Sequence, residues 1–190
     1  MKNSKDLVYK TALAAVLCAQ AIALGWLESL LPAVPWLPPG AKPGLANIII
    51  MFAAGNLGLG WAAVLALVKA GFAFVTRGVT AGLMSLCGGL LSAAAMYFLL
   101  KYAGKRLGLI GISVISSLCH NAGQLAAAAF LTGTADIIYY APTLAVFGVA
   151  TGAVTGMIFK AVIPALEKQK ITFSKRRRSK IWQRPLKAAS

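Results

Sequence analysis

Apolar segments long enough to cross a lipid bilayer recur along this 190-residue chain. A transmembrane helix needs about 20 predominantly apolar residues. Four segments reach that length: 9–31, 81–100, 109–131 and 138–163. Charged residues make up only 12% of the chain, whereas soluble domains carry about 25%. The pattern predicts an all-α integral membrane protein, with a transmembrane domain over residues 1–165 and a mobile basic tail over 166–190.

The stretch from Leu45 to Val75 decides how many spans there are. As one helix it would be about 46 Å long at 1.5 Å per residue, which is too long for one span and slightly short for two. Both ends of the chain are basic, and basic segments favour the cytoplasm, so the number of spans should be even. A turn in the glycine-rich segment 55–60 gives six spans, with a Pro-rich outer loop at 32–43 and a basic inner loop at 101–108. We therefore predict a six-helix bundle in the cytoplasmic membrane with both termini cytoplasmic.

The charge balance excludes several classes of function. Nineteen Lys and Arg residues face four Asp and Glu residues, an excess that can indicate a nucleic-acid partner. The basic residues instead lie at the chain ends and at the ends of apolar segments, as in membrane proteins, so we expect a lipid bilayer and no nucleic acid. So few acids, one histidine and no P-loop leave no site for carboxylate or metal catalysis. We predict that the chain is not an enzyme and carries no cofactor or metal.

A polar stripe interrupts the fifth predicted span. Steps of three and four residues place its members on one helix face, and polar side chains inside a membrane usually face the bundle interior. The stripe contains Ser113, Ser116, Ser117, His120, Asn121 and Gln124. Two interpretations stay open, namely ligand contact by His120, Asn121 and Gln124, or hydrogen bonding between helices.

Charged residues near the outer ends of the first and third spans form a second candidate site. Glu28 is the only carboxylate within the predicted spans, and it is either solvated or paired with Lys42. Lys69 lies inside a span and must pair or extend towards water. Together with Arg77, the two lysines would make the outer mouth positive, which suits an anionic ligand. Interfacial anchoring is the alternative role for these side chains.

Small residues at four-residue spacing mark two helix faces. Ala15, Ala19 and Ala23 would let another helix approach the first span closely, and that helix belongs either to this chain or to a partner protein. Three glycines in the last span repeat the spacing, and packing within the bundle is sufficient to explain them: Gly148, Gly152 and Gly156.

Three segments resemble a known family. They are residues 28–32, 39–48 (Pro-Gly-Ala-Lys-Pro-Gly-Leu-Ala-Asn-Ile) and 120–124 (His-Asn-Ala-Gly-Gln). They are similar to the heptaprenyl diphosphate synthase component I family, also called the Gx transporter family, over roughly residues 8–165. Pro43 and Lys69 depart from its pattern, since an apolar residue and an arginine are expected there.

The resemblance implies two roles. The family is similar to the S components of energy-coupling factor (ECF) transporters, six-helix proteins that capture a vitamin-like molecule and dock through the first helix on a coupling subunit driven by ATPases. The leading hypothesis is therefore an S-component-like subunit for uptake of a small anionic vitamin- or isoprenoid-precursor-like molecule, with an outward-opening pocket. Its predicted contacts are Lys42, Asn47, His120, Asn121 and Gln124, supported by Glu28 and Lys69, and its predicted partner face is Ala15, Ala19 and Ala23.

The family name implies the alternative, a non-catalytic membrane accessory subunit of a heptaprenyl or polyprenyl diphosphate synthase. Such synthases bind diphosphate through Mg²⁺ and aspartate-rich motifs, and this chain has none. Its partner would then be a catalytic synthase subunit. An accessory role in membrane redox systems is a third hypothesis.

Overall fold

The structure, a computed structural model, describes residues 2–30 and 46–168. Within those ranges the chain is helical and contains no strand. The elements are α1 (Lys2–Ser29), α2 (Asn47–Asn56), α3 (Leu59–Arg77), α4 (Val79–Tyr102), α5 (Gly104–Thr132), a 3₁₀ helix (Ala135–Tyr140) and α6 (Ala141–Lys168). The predicted outer loop, with Lys42, and most of the predicted tail lie outside the described residues.

Five of these helices are long and apolar enough to cross a membrane, with spans of 19 to 27 residues. The prediction of an all-helical, multi-pass membrane protein is therefore confirmed. The chain also turns within the predicted glycine-rich segment, at Gly58, whose φ of 98° favours glycine. The helix before that turn, α2, has 10 residues and is about 15 Å long, half the thickness of a hydrocarbon core of about 30 Å. The predicted count of six spans is therefore not confirmed, because α2 is shorter than a full span.

Tight turns make successive helices antiparallel neighbours. Gly78 alone separates α3 from α4, and its φ of 89° allows the sharp reversal. Ala103 alone separates α4 from α5, so the loop predicted at residues 101–108 is almost entirely helical, with a kink where Gly108 departs from helical geometry. The result is a row in which α3 packs on α4, α4 on α5 and α5 on α6, while α1 and α2 pack against α3.

The α5–α6 pair is held at close range by glycine. A Cβ added to Gly152 would lie 2.5 Å from the Cα of Val114, and one added to Gly156 would lie 2.6 Å from the Cα of Ile110. Real Cβ atoms do not approach backbone so closely, because carbon atoms in contact are about 3.5–4.0 Å apart. The interpretation of this glycine spacing as packing within the bundle is therefore confirmed.

Candidate functional site

Polar side chains are concentrated in the bundle interior. Of the predicted ligand contacts, Lys42 lies outside the described residues and all the others are buried: Glu28, Asn47, Lys69, His120, Asn121 and Gln124. A buried polar or ionisable side chain inside a membrane is costly and is a candidate functional residue by default. The question is which of these side chains the fold brings together.

Glu28, Asn47 and Lys69 meet where α1, α2 and α3 pack. The ammonium of Lys69 donates a hydrogen bond of 2.8 Å to Oδ1 of Asn47. The carboxylate of Glu28 accepts one of 2.9 Å from the backbone N–H of Ala46. Glu28 is only 3% exposed, so the interpretation of this carboxylate as solvated is wrong. Glu28 and Arg77 both lie close enough to Lys69 for their charges to act on it.

The short helix α2 begins inside the bundle at this point. Lys69 lies ten residues after the start of α3, a distance of about 15 Å along the helix. The helix α2, from Asn47 to Asn56, has about the same length. The hydrogen bond between Lys69 and Asn47 therefore places the N-terminus of α2 level with the middle of α3. Its N-cap residue, Ala46, supplies no side-chain cap, and a helix N-terminus carries a partial positive charge.

His120 lies on the other side of the same region, at the α4–α5 contact. Its ring is 1% exposed, and its Nε2 lies 3.0 Å from the amide nitrogen of Gln124. An amide nitrogen only donates, so Nε2 accepts in this arrangement, while Nδ1 has no hydrogen-bond partner among the described residues. Nδ1 lies against Gly88, where an added Cβ would come within 2.8 Å of it.

The packing of α3 on α4 brings the two sides together. An added Cβ on Gly82 would meet Phe74, and one on Gly89 would meet Ala66, so Lys69 lies level with the turn of α4 that carries Ser85. The charge of Lys69 also acts on His120. We call this set the buried polar cluster: Glu28, Asn47, Lys69, Arg77, Ser85, His120 and Gln124.

Polar groups of the cluster remain without a hydrogen-bond partner among the described residues. They include the hydroxyl of Ser85, Oε1 of Gln124 and Nη1 of Arg77. Ser85 and Gln124 are buried, and Arg77 is half-buried. Native structures leave few buried polar atoms unpaired, and each one calls for a water, an ion or a functional explanation.

The rest of the α5 stripe turns towards α6 and the middle of α4. Ser116 donates to the carbonyl of Ser92 at 2.7 Å, and the amide of Asn121 donates to the carbonyl of Leu144 at 2.7 Å. These are hydrogen bonds between helices, the alternative role considered for the stripe. Ligand contact by Asn121 stays a prediction, and its amide nitrogen is already engaged.

A small cavity lies beside these bonds. Its volume is about 10 Å³, which is room for about one water molecule and far below the several hundred Å³ of a ligand pocket. Residues from α2, α4, α5 and α6 line it: Asn47, Met51, Ser92, Ser113, Ser116, Ser117, Thr151 and Thr155. A vitamin-sized molecule does not fit this space.

The sequence model of one known family, heptaprenyl diphosphate synthase component I, matches residues 17–162. The match covers well over half of the chain. The chain belongs to the heptaprenyl diphosphate synthase component I family. The predicted family is thereby confirmed. No curated protein and no solved structure matches the chain, so the likeness to ECF S components stays a prediction.

The predicted partner face of this component I chain is exposed. Ala15, Ala19 and Ala23 all lie on the side of α1 that the described residues leave uncovered, and Trp26 on the same helix is 52% exposed. In a membrane, such a face contacts lipid or another protein. Its role in docking stays a prediction.

Several residues that shape the site were not predicted from the sequence. Gly88 makes room for His120, and Gly123 lets α5 approach the backbone of Cys87 on α4, where an added Cβ would lie 2.8 Å from the carbonyl oxygen. Gly123 belongs to the His-Asn-Ala-Gly-Gln segment, one of the three segments that resemble the family. That segment could have indicated a close helix contact as well as a polar site. Ser85 carried no comparable signal.

Proposed function

We propose that this chain is a non-catalytic membrane accessory subunit of a heptaprenyl or polyprenyl diphosphate synthase. The observation that carries the proposal is the family match over residues 17–162. The family name, component I of a synthase, implies at least one further component. In this proposal the chain lies in the cytoplasmic membrane with both termini cytoplasmic, where it can meet a soluble catalytic subunit.

The distribution of acids supports a division of labour. Asp6 and Glu167 lie near opposite ends of the chain, and Asp136 lies in the 3₁₀ helix on the surface. Glu28 alone is buried, and it holds the start of α2. Within residues 2–30 and 46–168, no three His, Cys, Asp or Glu side chains come together to hold a metal. Chain elongation on a Mg²⁺-bound diphosphate would therefore take place on the partner.

Reconstitution tests this role directly. The purified chain is inserted into liposomes and mixed with a soluble prenyl synthase subunit, isotope-labelled isopentenyl diphosphate and an allylic diphosphate primer. We expect a change in product chain length or in rate compared with empty liposomes. Identical product lengths and rates in both preparations would contradict the accessory role.

A second candidate function is the S-component-like capture of a small anionic molecule. The uncovered alanine face of α1 favours it, since a coupling subunit with its ATPases could dock there. If this holds, Ala19→Leu abolishes co-purification with an energy-coupling module, while the matched change Ala126→Leu, at an exposed position of α5, does not. Mass spectrometry should also find a small molecule in the purified chain that is lost in His120→Ala and Asn121→Ala. A chain that purifies empty would count against capture.

A further inference from the structure

The charges inside the bundle do not balance. Lys69 and Arg77 lie close to one carboxylate, Glu28. Asp6 lies 22 positions before Glu28 on α1, about 33 Å away along the helix, Asp136 is exposed, and Glu167 lies at the far end of α6. Among the described side chains, Glu28 is the only acid that lies close to the two cations. Lys69 is buried halfway along α3 and Arg77 is half-buried at its end, and a net positive charge at such positions favours an accompanying anion.

The same region holds unused hydrogen-bonding capacity. The hydroxyl of Ser85 and Nη1 of Arg77 have no partner among the described residues, and both can donate. Ser85 is 5% exposed, so bulk water does not satisfy it. Among the described residues Lys69 makes one hydrogen bond, to Asn47, whereas an ammonium can donate three. The cluster therefore offers unused donors on two helices that pack together, α3 and α4.

The N-terminus of α2 adds to the positive electrostatic potential around Lys69. It begins in the bundle interior beside Lys69, where the carboxylate of Glu28 accepts the N–H of Ala46 and the N-cap residue itself provides no side-chain acceptor. Backbone N–H groups and the helix dipole make such a terminus attractive to phosphates and carboxylates. Interrupted membrane helices with half-length N-terminal ends use this arrangement to hold anionic groups.

We infer that the buried polar cluster binds the phosphate or diphosphate end of a ligand, with Lys69 and Arg77 as charged donors and Ser85 as a neutral donor. A diphosphate has more acceptor oxygens than a carboxylate and spreads them over a greater length, which suits donors on several helices. The choice of this ligand class rests on the proposed function, because a prenyl diphosphate carries such a group. A membrane phospholipid headgroup is the other source of the same chemistry.

Calorimetric titration of the detergent-solubilised full chain tests the site without any synthase. Inorganic pyrophosphate is the first probe, and farnesyl diphosphate with its neutral counterpart farnesol are the second. We expect Lys69→Met and Arg77→Gln to weaken pyrophosphate binding by about tenfold or more, the usual effect of losing a charge-assisted hydrogen bond. Lys160→Met and Arg106→Gln remove the same charges at exposed positions and should leave the affinity unchanged.

The two sources of phosphate give different results. Farnesyl diphosphate binding more tightly than pyrophosphate, with no binding of farnesol, supports the site and identifies an isoprenoid ligand. Displacement of pyrophosphate by phosphatidylglycerol nanodiscs, and not by phosphatidylcholine ones, supports the site and identifies a lipid headgroup. Helical circular dichroism and gel filtration verify folding, and Arg77→Gln at its half-buried position remains informative if Lys69→Met fails to fold.

Two results would overturn the inference. One is the absence of pyrophosphate binding at millimolar concentration and low salt. The other is an affinity that Lys69→Met and Arg77→Gln leave unchanged. A failed synthase reconstitution would contradict the accessory role and not this site, because the titration contains no synthase.

Discussion

The α5–α6 contact provides the sharpest test of the packing, through the substitution Gly152→Ala. The new Cβ would lie 2.5 Å from the Cα of Val114 and 3.0 Å from both the carbonyl oxygen of Ser113 and the nitrogen of Val114. All three atoms are backbone, so no rotamer change relieves the clash, and the helices must separate by about 1 Å to restore ordinary contact. Overpacking of this kind costs about 1–3 kcal/mol, and the better helix propensity of Ala returns at most about 1 kcal/mol.

The matched control is Gly71→Ala in α3, where an added Cβ meets nothing within 4 Å. This substitution brings only the better helix propensity of Ala, so it should raise the free energy of unfolding slightly. For a net loss of about 1–2 kcal/mol, Gly152→Ala should lower the midpoint of thermal unfolding by about 2–8 °C. Circular dichroism melts in a mild detergent measure both variants beside the wild type. A Gly152→Ala midpoint at or above that of the wild type, or an equal drop in Gly71→Ala, would refute the close contact.

Three further substitutions test the interior with the same melts. Gly88→Ala drives a Cβ into His120 and should cost about 1–3 kcal/mol; an unchanged midpoint would argue against the α4–α5 contact. Glu28→Leu leaves the N–H of Ala46 without its acceptor and should cost about 2–3 kcal/mol, more than Glu28→Gln, which keeps an acceptor oxygen; equal losses would show that this hydrogen bond is unimportant. Asn121→Leu removes one bond to α6 and should cost only about 0.6 kcal/mol, so a much larger loss would contradict a purely interhelical role.

Helical periodicity was enough to predict part of the site. Because residues three and four apart share a helix face, the sequence predicts that Ser113, Ser116, His120 and Gln124 turn inwards together, and all four are buried. Periodicity within α5 does not say which neighbour each one meets. That depends on the positions of α4 and α6. Only the fold shows that His120 lies against α4 while Asn121 bonds to α6.

The charged residues show the limit of sequence reasoning more clearly. Glu28 stands near the end of an apolar segment, and that position is compatible with water or with the interior. Its burial follows from the return of the chain to Ala46, a contact 18 residues away that no local pattern reveals. The sequence did not predict the length of α2 for the same reason. An apolar segment does not indicate at what depth in the membrane its helix begins.

The half-length of α2 also constrains how the protein is made. A helix of 10 residues is too short to partition into a bilayer by itself, and its first residue, Asn47, needs a partner on α3. The turn at Gly58 joins the two helices directly, so α2 must enter the membrane with α3 as one hairpin. Insertion into the membrane therefore has an order, because α3 must be inserted before Asn47 can bond to Lys69. In a nascent chain that stops before residue 69, α2 lacks the partner that fixes its position in the bilayer.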